Sequence, residues 1–181
     1  GDTTALYQDT ITLSALADYG WEFSGWEDGN TENPRVVVAT EDKDYKAIFV
    51  KRMFTITLTG ENGSFEGAGS FAYGDTCQLT AIANVGYHFA QWSDSITDNP
   101  RSIVLTQDTM FTAEFAKNAY NISLTHEGAG TIEGDTIALY QDSVTLAAIA
   151  DYGWQFSSWS DGVTDNPRTV VVSSDCAYQA I

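Results

Sequence analysis

Three short acidic loops carry the residues most able to do chemistry. Asp94, Asp98 and Asn99 fall within six positions, and Asp161, Asp165 and Asn166 repeat that spacing. Carboxylate and amide oxygens are hard ligands of the kind that hold calcium. Asp94, Asp98, Asp161 and Asp165 are therefore the candidate metal ligands. The spacing lacks the EF-hand pattern and its closing bidentate glutamate. Asp and Asn also bond backbone amides in turns, where glycine relaxes φ and proline opens the next strand. That structural reading is the stronger, so the sequence predicts no bound metal and no cofactor. The arginine that ends each loop pairs with a loop carboxylate or covers a tryptophan face.

A second chemistry is ring stacking on sugars. Trp21, Tyr87 and Trp154 follow a glycine at equivalent places and are the candidate glycan platform, with Tyr19 and Tyr152 close by. The competing reading is core packing, which is what large aromatics most often do in a small domain. Catalysis has little support. His88 aligns with Glu22 and Gln155, and His126 falls in a turn, so neither histidine recurs. No serine is matched to a recurrent histidine, and the carboxylate pairs lie in turns. The chain is expected not to be an enzyme.

The elements that position these residues come in copies. Trp26-Glu27-Asp28-Gly29-Asn30-Thr31-Glu32-Asn33-Pro34-Arg35 returns from Trp92 to Arg101 and from Trp159 to Arg168. The tryptophans are 66 and 67 residues apart. Such a period means one small folding unit per copy. The units are residues 1–52, a partial repeat without its first strand; 53–118, a complete repeat; and 119–181, a nearly complete one. About 31 positions of residues 1–48 are identical in 134–181, against about 19 in 67–114. Duplication of a two-repeat block would produce that pattern, and the expectation is a window onto a longer array.

Within the middle unit, Phe54, Ile56 and Leu58 share one face of a strand. Gly60-Glu61-Asn62-Gly63 turns the chain, and a short strand follows around Ser64–Glu66. Cys77, Leu79 and Ala81 alternate with polar Gln78 and Thr80. Gly86 to Trp92 forms another strand, and Ile103 and Leu105 point inward after the loop. The third unit repeats the scheme with Tyr120, Ile122 and Leu124, then Val144, Leu146 and Ala148. Core positions are Phe23 and Trp26, Phe89 and Trp92, Phe156 and Trp159. The fold class is mainly β: tandem small β-rich modules of about 66 residues each, with no amphipathic helix.

The bulk numbers narrow the partners. The 181 residues carry 25 acidic and 8 basic side chains, a net charge of −17. That charge repels nucleic-acid phosphate and anionic membrane surfaces. The composition, 43% hydrophobic and 13% aromatic, is that of a folding chain. Cys77 and Cys176 stand at unrelated repeat positions, so no disulfide or metal pair is expected. No apolar run is long enough for a membrane span and no signal peptide is visible.

Gly86–Asp94 with Asn99-Pro100-Arg101, and Gly153–Gly162 with Asn166-Pro167-Arg168, resemble the divergent internalin B-type repeat. That repeat is a relative of the Listeria–Bacteroides repeat of bacterial surface proteins. The middle unit departs in having Ser95 where its neighbours have Gly29 and Gly162. The resemblance implies β-grasp-like modules strung along secreted or surface-anchored proteins, without catalysis or a universal ligand. The leading expectation is a non-catalytic stalk or spacer segment of an adhesin-like protein at the bacterial surface. The alternative is a module that binds a glycan or a host protein, attached to a larger surface protein or enzyme. Neighbouring repeats are the nearest partners. Asp-Ser/Thr-aliphatic triplets at Thr10, Ser95, Thr109, Thr136 and Ser143 also resemble the O-glycosylation signal of secreted Bacteroidetes proteins. A turn aspartate opening a strand is the plainer account of them.

Overall fold

The computed structural model describes residues 3–181. It is all β, 53% strand with no helix among the described residues, in several small sheets with no barrel. The first repeat holds β1 (Thr10–Leu13), β2 (Trp21–Trp26), β3 (Arg35–Val38) and β4 (Ala47–Lys51). The second holds β5 (Met53–Thr59), β6 (Gly63–Glu66), β7 (Gly69–Ala72), β8 (Thr76–Ala83), β9 (Tyr87–Trp92), β10 (Arg101–Val104) and β11 (Thr109–Lys117). The third holds β12 (Ala119–His126), β13 (Gly130–Glu133), β14 (Ile137–Leu139), β15 (Ser143–Ala150), β16 (Arg168–Val171) and β17 (Cys176–Ala180). Among the described residues no helix is long and apolar enough to cross a membrane.

The third repeat shows how alternation becomes a core. Antiparallel β13, β15 and β16 form one sheet; β14, β12 and β17 form the other. Val144 and Leu146 leave β15 on the same side because side chains alternate along a strand. They are buried with Ile122, Trp159, Val170, Val172 and Ala180, and Tyr120, Leu124, Phe156 and Tyr178 close the margins. Trp159 is wholly buried. A tryptophan removes some 150–250 Å² from water, so this side chain dominates the apolar gain of so small a unit. β12 and β17, the first and last strands, run parallel from Ile122↔Cys176 to His126↔Ala180. This pairing is the β-grasp-like element of the repeat, and its crossover is filled by strands.

The second repeat has the same plan, with sheet orders β10-β8-β6 and β7-β5-β11-β9. Ile56, Cys77, Leu79, Ala81, Trp92 and Leu105 are buried at the expected positions, and Ala113 joins them. The short strand β7 was not anticipated from sequence. Among the described residues of the first repeat, β1 pairs with β3 and β2 with β4. There Ile11 and Leu13 are half-buried where Cys77 and Leu79 are covered. No strand among the described residues of the first repeat takes the place that β12 holds in the third repeat.

One expected strand is missing. β2 and β9 are not matched in the third repeat, where 154–158 is irregular and only a Trp159↔Ala180 bridge forms. The reason is the partner. β9 pairs with Ala113–Lys117, whereas 154–158 is tied only by the hydrogen bonds of Ser157 and Ser158 with Ile181.

Contacts divide the chain into two compact units. One comprises residues 1–58, 66–80 and 100–111, the other 59–65, 81–99 and 112–181. The junction between the first and second repeats falls inside the former, and that between the second and third inside the latter.

Candidate functional site: the tryptophan loop and the repeat junction

The recurrent loop is a built turn. In the third repeat, Trp159 N donates to Val163 O and Gly162 N to Trp159 O, both at 2.8 Å. Gly162 adopts φ +83°, and Ser95 takes the same left-handed region at +66° in the second repeat. The serine substitution therefore keeps the turn. Trp159 Nε1 donates to Asp165 O at 3.0 Å, Trp92 Nε1 to Asp98 O at 3.0 Å, and Trp26 Nε1 to Glu32 O at 2.8 Å. Each indole thus buries its ring and satisfies its one donor within its own loop.

The asparagine before each proline ties the loop to the neighbouring strand. Ala81 N donates to Asn99 Oδ1 at 2.9 Å while Asn99 Nδ2 donates to Ala81 O at 2.7 Å. Asn33 does the same with Ala15, and Asn166 with Ala148. A side-chain amide carries a donor and an acceptor, so it substitutes for one residue of a strand ladder.

The loop carboxylates are occupied by the protein itself. Arg168 Nη1 reaches both oxygens of Asp161, at 2.8 and 2.7 Å, and Val163 N donates to Asp161 at 3.2 Å. Arg35 and Asp28 repeat the pair at 2.9 and 3.0 Å. The Arg168 hydrogen bond holds Asp161 below the ordinary carboxylate range. For Asp28 the Asn30 amide acts first and Arg35 second, in the same direction. Each guanidinium also faces aromatic rings: Arg168 lies 5.0 Å from Tyr178 and 5.9 Å from Trp159, and Arg35 lies 5.0 Å from Tyr45 and 5.4 Å from Trp26. Both alternatives read for the arginine hold at once. Asp98 and Asp165 contribute backbone carbonyls to the indoles. Among the described residues no three His, Cys, Asp or Glu side chains converge as a metal group.

The second recurrent construction joins one repeat to the next, and it was missed in sequence. Arg52 N donates to Gly20 O at 2.9 Å, and Tyr73 N to Arg52 O at 2.8 Å. Asn118 N donates to Gly86 O at 2.8 Å, and Tyr140 N to Asn118 O at 2.9 Å. The Tyr73 ring lies so close on Gly20, and the Tyr140 ring on Gly86, that a Cβ at either glycine would fall inside the ring. Ion pairs complete each junction: Lys51 with Asp75 at 3.3 Å, Lys117 with Asp142 at 2.8 Å. The Asp142 hydrogen bond raises the Lys117 pKa. The signal was present in the recurrence of Tyr7, Tyr73 and Tyr140 one period apart, but a tyrosine before a turn does not announce what it covers.

The candidate aromatics sit in three different settings. Trp21 is partly exposed on β2 at 39%, and Tyr87 meets Tyr140 edge-on at 5.8 Å beside the second junction. Trp154 is 60% exposed and lies against Gly128. Of the candidate glycosylation residues, Thr10, Ser95, Thr136 and Ser143 are exposed. Thr109 is half-buried, and its hydroxyl donates to Gln107 O at 3.0 Å. Cys77 is buried and Cys176 half-buried, both free. Burial pushes the Cys77 thiol up.

A β module built around a tryptophan loop and copied three times is a tandem β-rich repeat. The chain belongs to the divergent InlB B-repeat domain family, which it matches over residues 1–52, 54–119 and 120–180. The family is associated with bacterial surface proteins and is generally non-catalytic. No curated protein and no solved structure matches the chain.

Proposed function

We propose that the chain is a load-bearing stalk or spacer segment of an adhesin-like protein at the bacterial surface, without catalytic activity. The observation that carries this reading is the parallel pairing of β12 with β17 over five positions. β12 brings the chain into the repeat and β17 takes it out. Tension along the chain pulls such neighbours lengthwise past each other, so their hydrogen bonds share the load instead of opening singly. The duplicated junction adds to this, since a Lys–Asp pair and a buried glycine fasten each repeat to the next. The net charge of −17 would keep neighbouring stalks apart.

The test is single-molecule extension of the chain through its two ends. The expected record is stepwise, with each complete repeat releasing roughly 200 Å of chain. Smooth extension without force peaks would overturn the reading. The partly exposed Trp21 and Trp154 favour a second reading, a glycan- or host-protein-binding module. A glycan-array and extracellular-matrix screen, with and without calcium, decides it: a saturable hit lost in Trp154→Ala establishes binding, and a blank removes it.

A further inference from the structure

Beside Gly20, one side chain of the first repeat holds the second repeat at two points. The Tyr19 ring stands edge-on to Tyr73, with centroids 5.7 Å apart and planes at 85°. Its hydroxyl donates to Thr106 O at 2.9 Å. Both points belong to one construction. Gly74 N donates to Leu105 O at 2.7 Å and Leu105 N to Asp75 O at 2.9 Å, so Thr106 follows the residue that fixes the Tyr73-Gly74-Asp75 turn. The same turn carries the carboxylate that pairs with Lys51.

The second joint has this turn but a different residue facing it. Gln141 N donates to Val172 O at 2.7 Å and Val172 N to Asp142 O at 2.9 Å. Ser173 follows Val172 as Thr106 follows Leu105. The residue before the junction glycine is here Val85, which has no side-chain donor and is 83% exposed. The Tyr140 ring is met instead by Tyr87, from the other side of Gly86 in sequence. His88 Nδ1 and Asn118 Oδ1 lie 2.8 Å apart, but both precede the third repeat, so this bond does not cross the joint.

We propose that the residue before each junction glycine sets how tightly a repeat closes on the next, and that the Tyr19 hydroxyl is the latch of the first joint. One exposed hydrogen bond adds little to the stability of a whole repeat. Opening of a joint is a local event that breaks few contacts, so the same bond shifts that equilibrium several-fold. The backbone around Ser173 repeats the Thr106 arrangement, so a tyrosine in place of Val85 finds the same acceptor. The proposal deepens the stalk reading, in which joints of one array would differ in stiffness through a single side chain each.

The experiment is amide hydrogen exchange by NMR on the full chain, comparing wild type, Tyr19→Phe and Val85→Tyr. The Tyr73 amide, bonded to Arg52 O, reports opening of the first joint, and the Tyr140 amide, bonded to Asn118 O, reports the second. Tyr19→Phe keeps the ring and removes the donor. It should speed exchange at Tyr73 by about 2- to 10-fold and leave Tyr140 unchanged. Val85→Tyr should slow Tyr140 by a similar factor and leave Tyr73 unchanged. Either amide unmoved by its own variant would overturn the proposal. So would faster exchange shared equally by the amides of β8 in Tyr19→Phe, because the whole second repeat would then have loosened. Exchange is read without load, so failure here leaves the extension test of the stalk reading standing.

Discussion

Asn166 and Ala148 exchange two hydrogen bonds: Ala148 N donates to Oδ1 at 2.8 Å and Nδ2 donates to Ala148 O at 2.7 Å. The contact spans 18 residues and closes the loop onto β15. Asn166→Ala removes both bonds and should cost about 1–3 kcal/mol, the range for leaving such groups unmatched. Asn166→Asp is the sharper variant, since a carboxylate still accepts from the amide but sets negative charge against the carbonyl. Urea unfolding should rank wild type above both. An Asp variant equal to wild type would show that the second bond contributes nothing.

The indole of Trp159 is the largest buried group of the third repeat. Trp159→Ala should destabilise it by about 3–5 kcal/mol, the usual cost of emptying an aromatic site. Trp159→Phe keeps part of the ring volume and loses the donor to Asp165 O. Its loss should fall between wild type and alanine in the same urea experiment.

Gly86 and Gly153 hold equivalent positions with the same φ, +83° and +85°. Gly86 lies beneath Tyr140, whereas nothing lies within 4 Å of a Cβ placed on Gly153. Gly153→Ala should cost about 1–2 kcal/mol for the left-handed backbone alone. Gly86→Ala adds displacement of the tyrosine and should cost more, with Tyr140→Ala partly relieving it in a double-mutant cycle. Equal losses from both glycine variants would deny the ring contact a role in the junction.

The acid side of the stability profile should follow the loop aspartates. Both Asp28 and Asp161 have folded-state pKa values below the ordinary 3.8. Groups of this kind contribute stability that is present above the unfolded pKa and is lost as pH falls through the folded one. Tm should therefore drop below about pH 4. Asp161→Asn should lie below wild type at pH 7 and converge toward it in acid. A constant gap down to pH 2 would contradict the assignment.

The tryptophan spacing, the period of about 66 residues and the alternation in β5, β8, β12 and β15 were all readable from sequence. These are local or repeated signals, and strand burial follows directly from which residues share a face. The turn reading of the Asp-Gly-Asn-Pro-Arg loop was readable for the same reason. Tertiary structure alone decided three things. It paired β12 with β17 in parallel across the whole repeat. It placed Tyr73 on Gly20 and Tyr140 on Gly86, residues 53 and 54 positions apart with no pattern linking them. It also left 154–158 without strand structure, although these residues follow the scheme of β2 and β9. A strand exists only where another backbone accepts its hydrogen bonds, and that depends on a partner far along the chain.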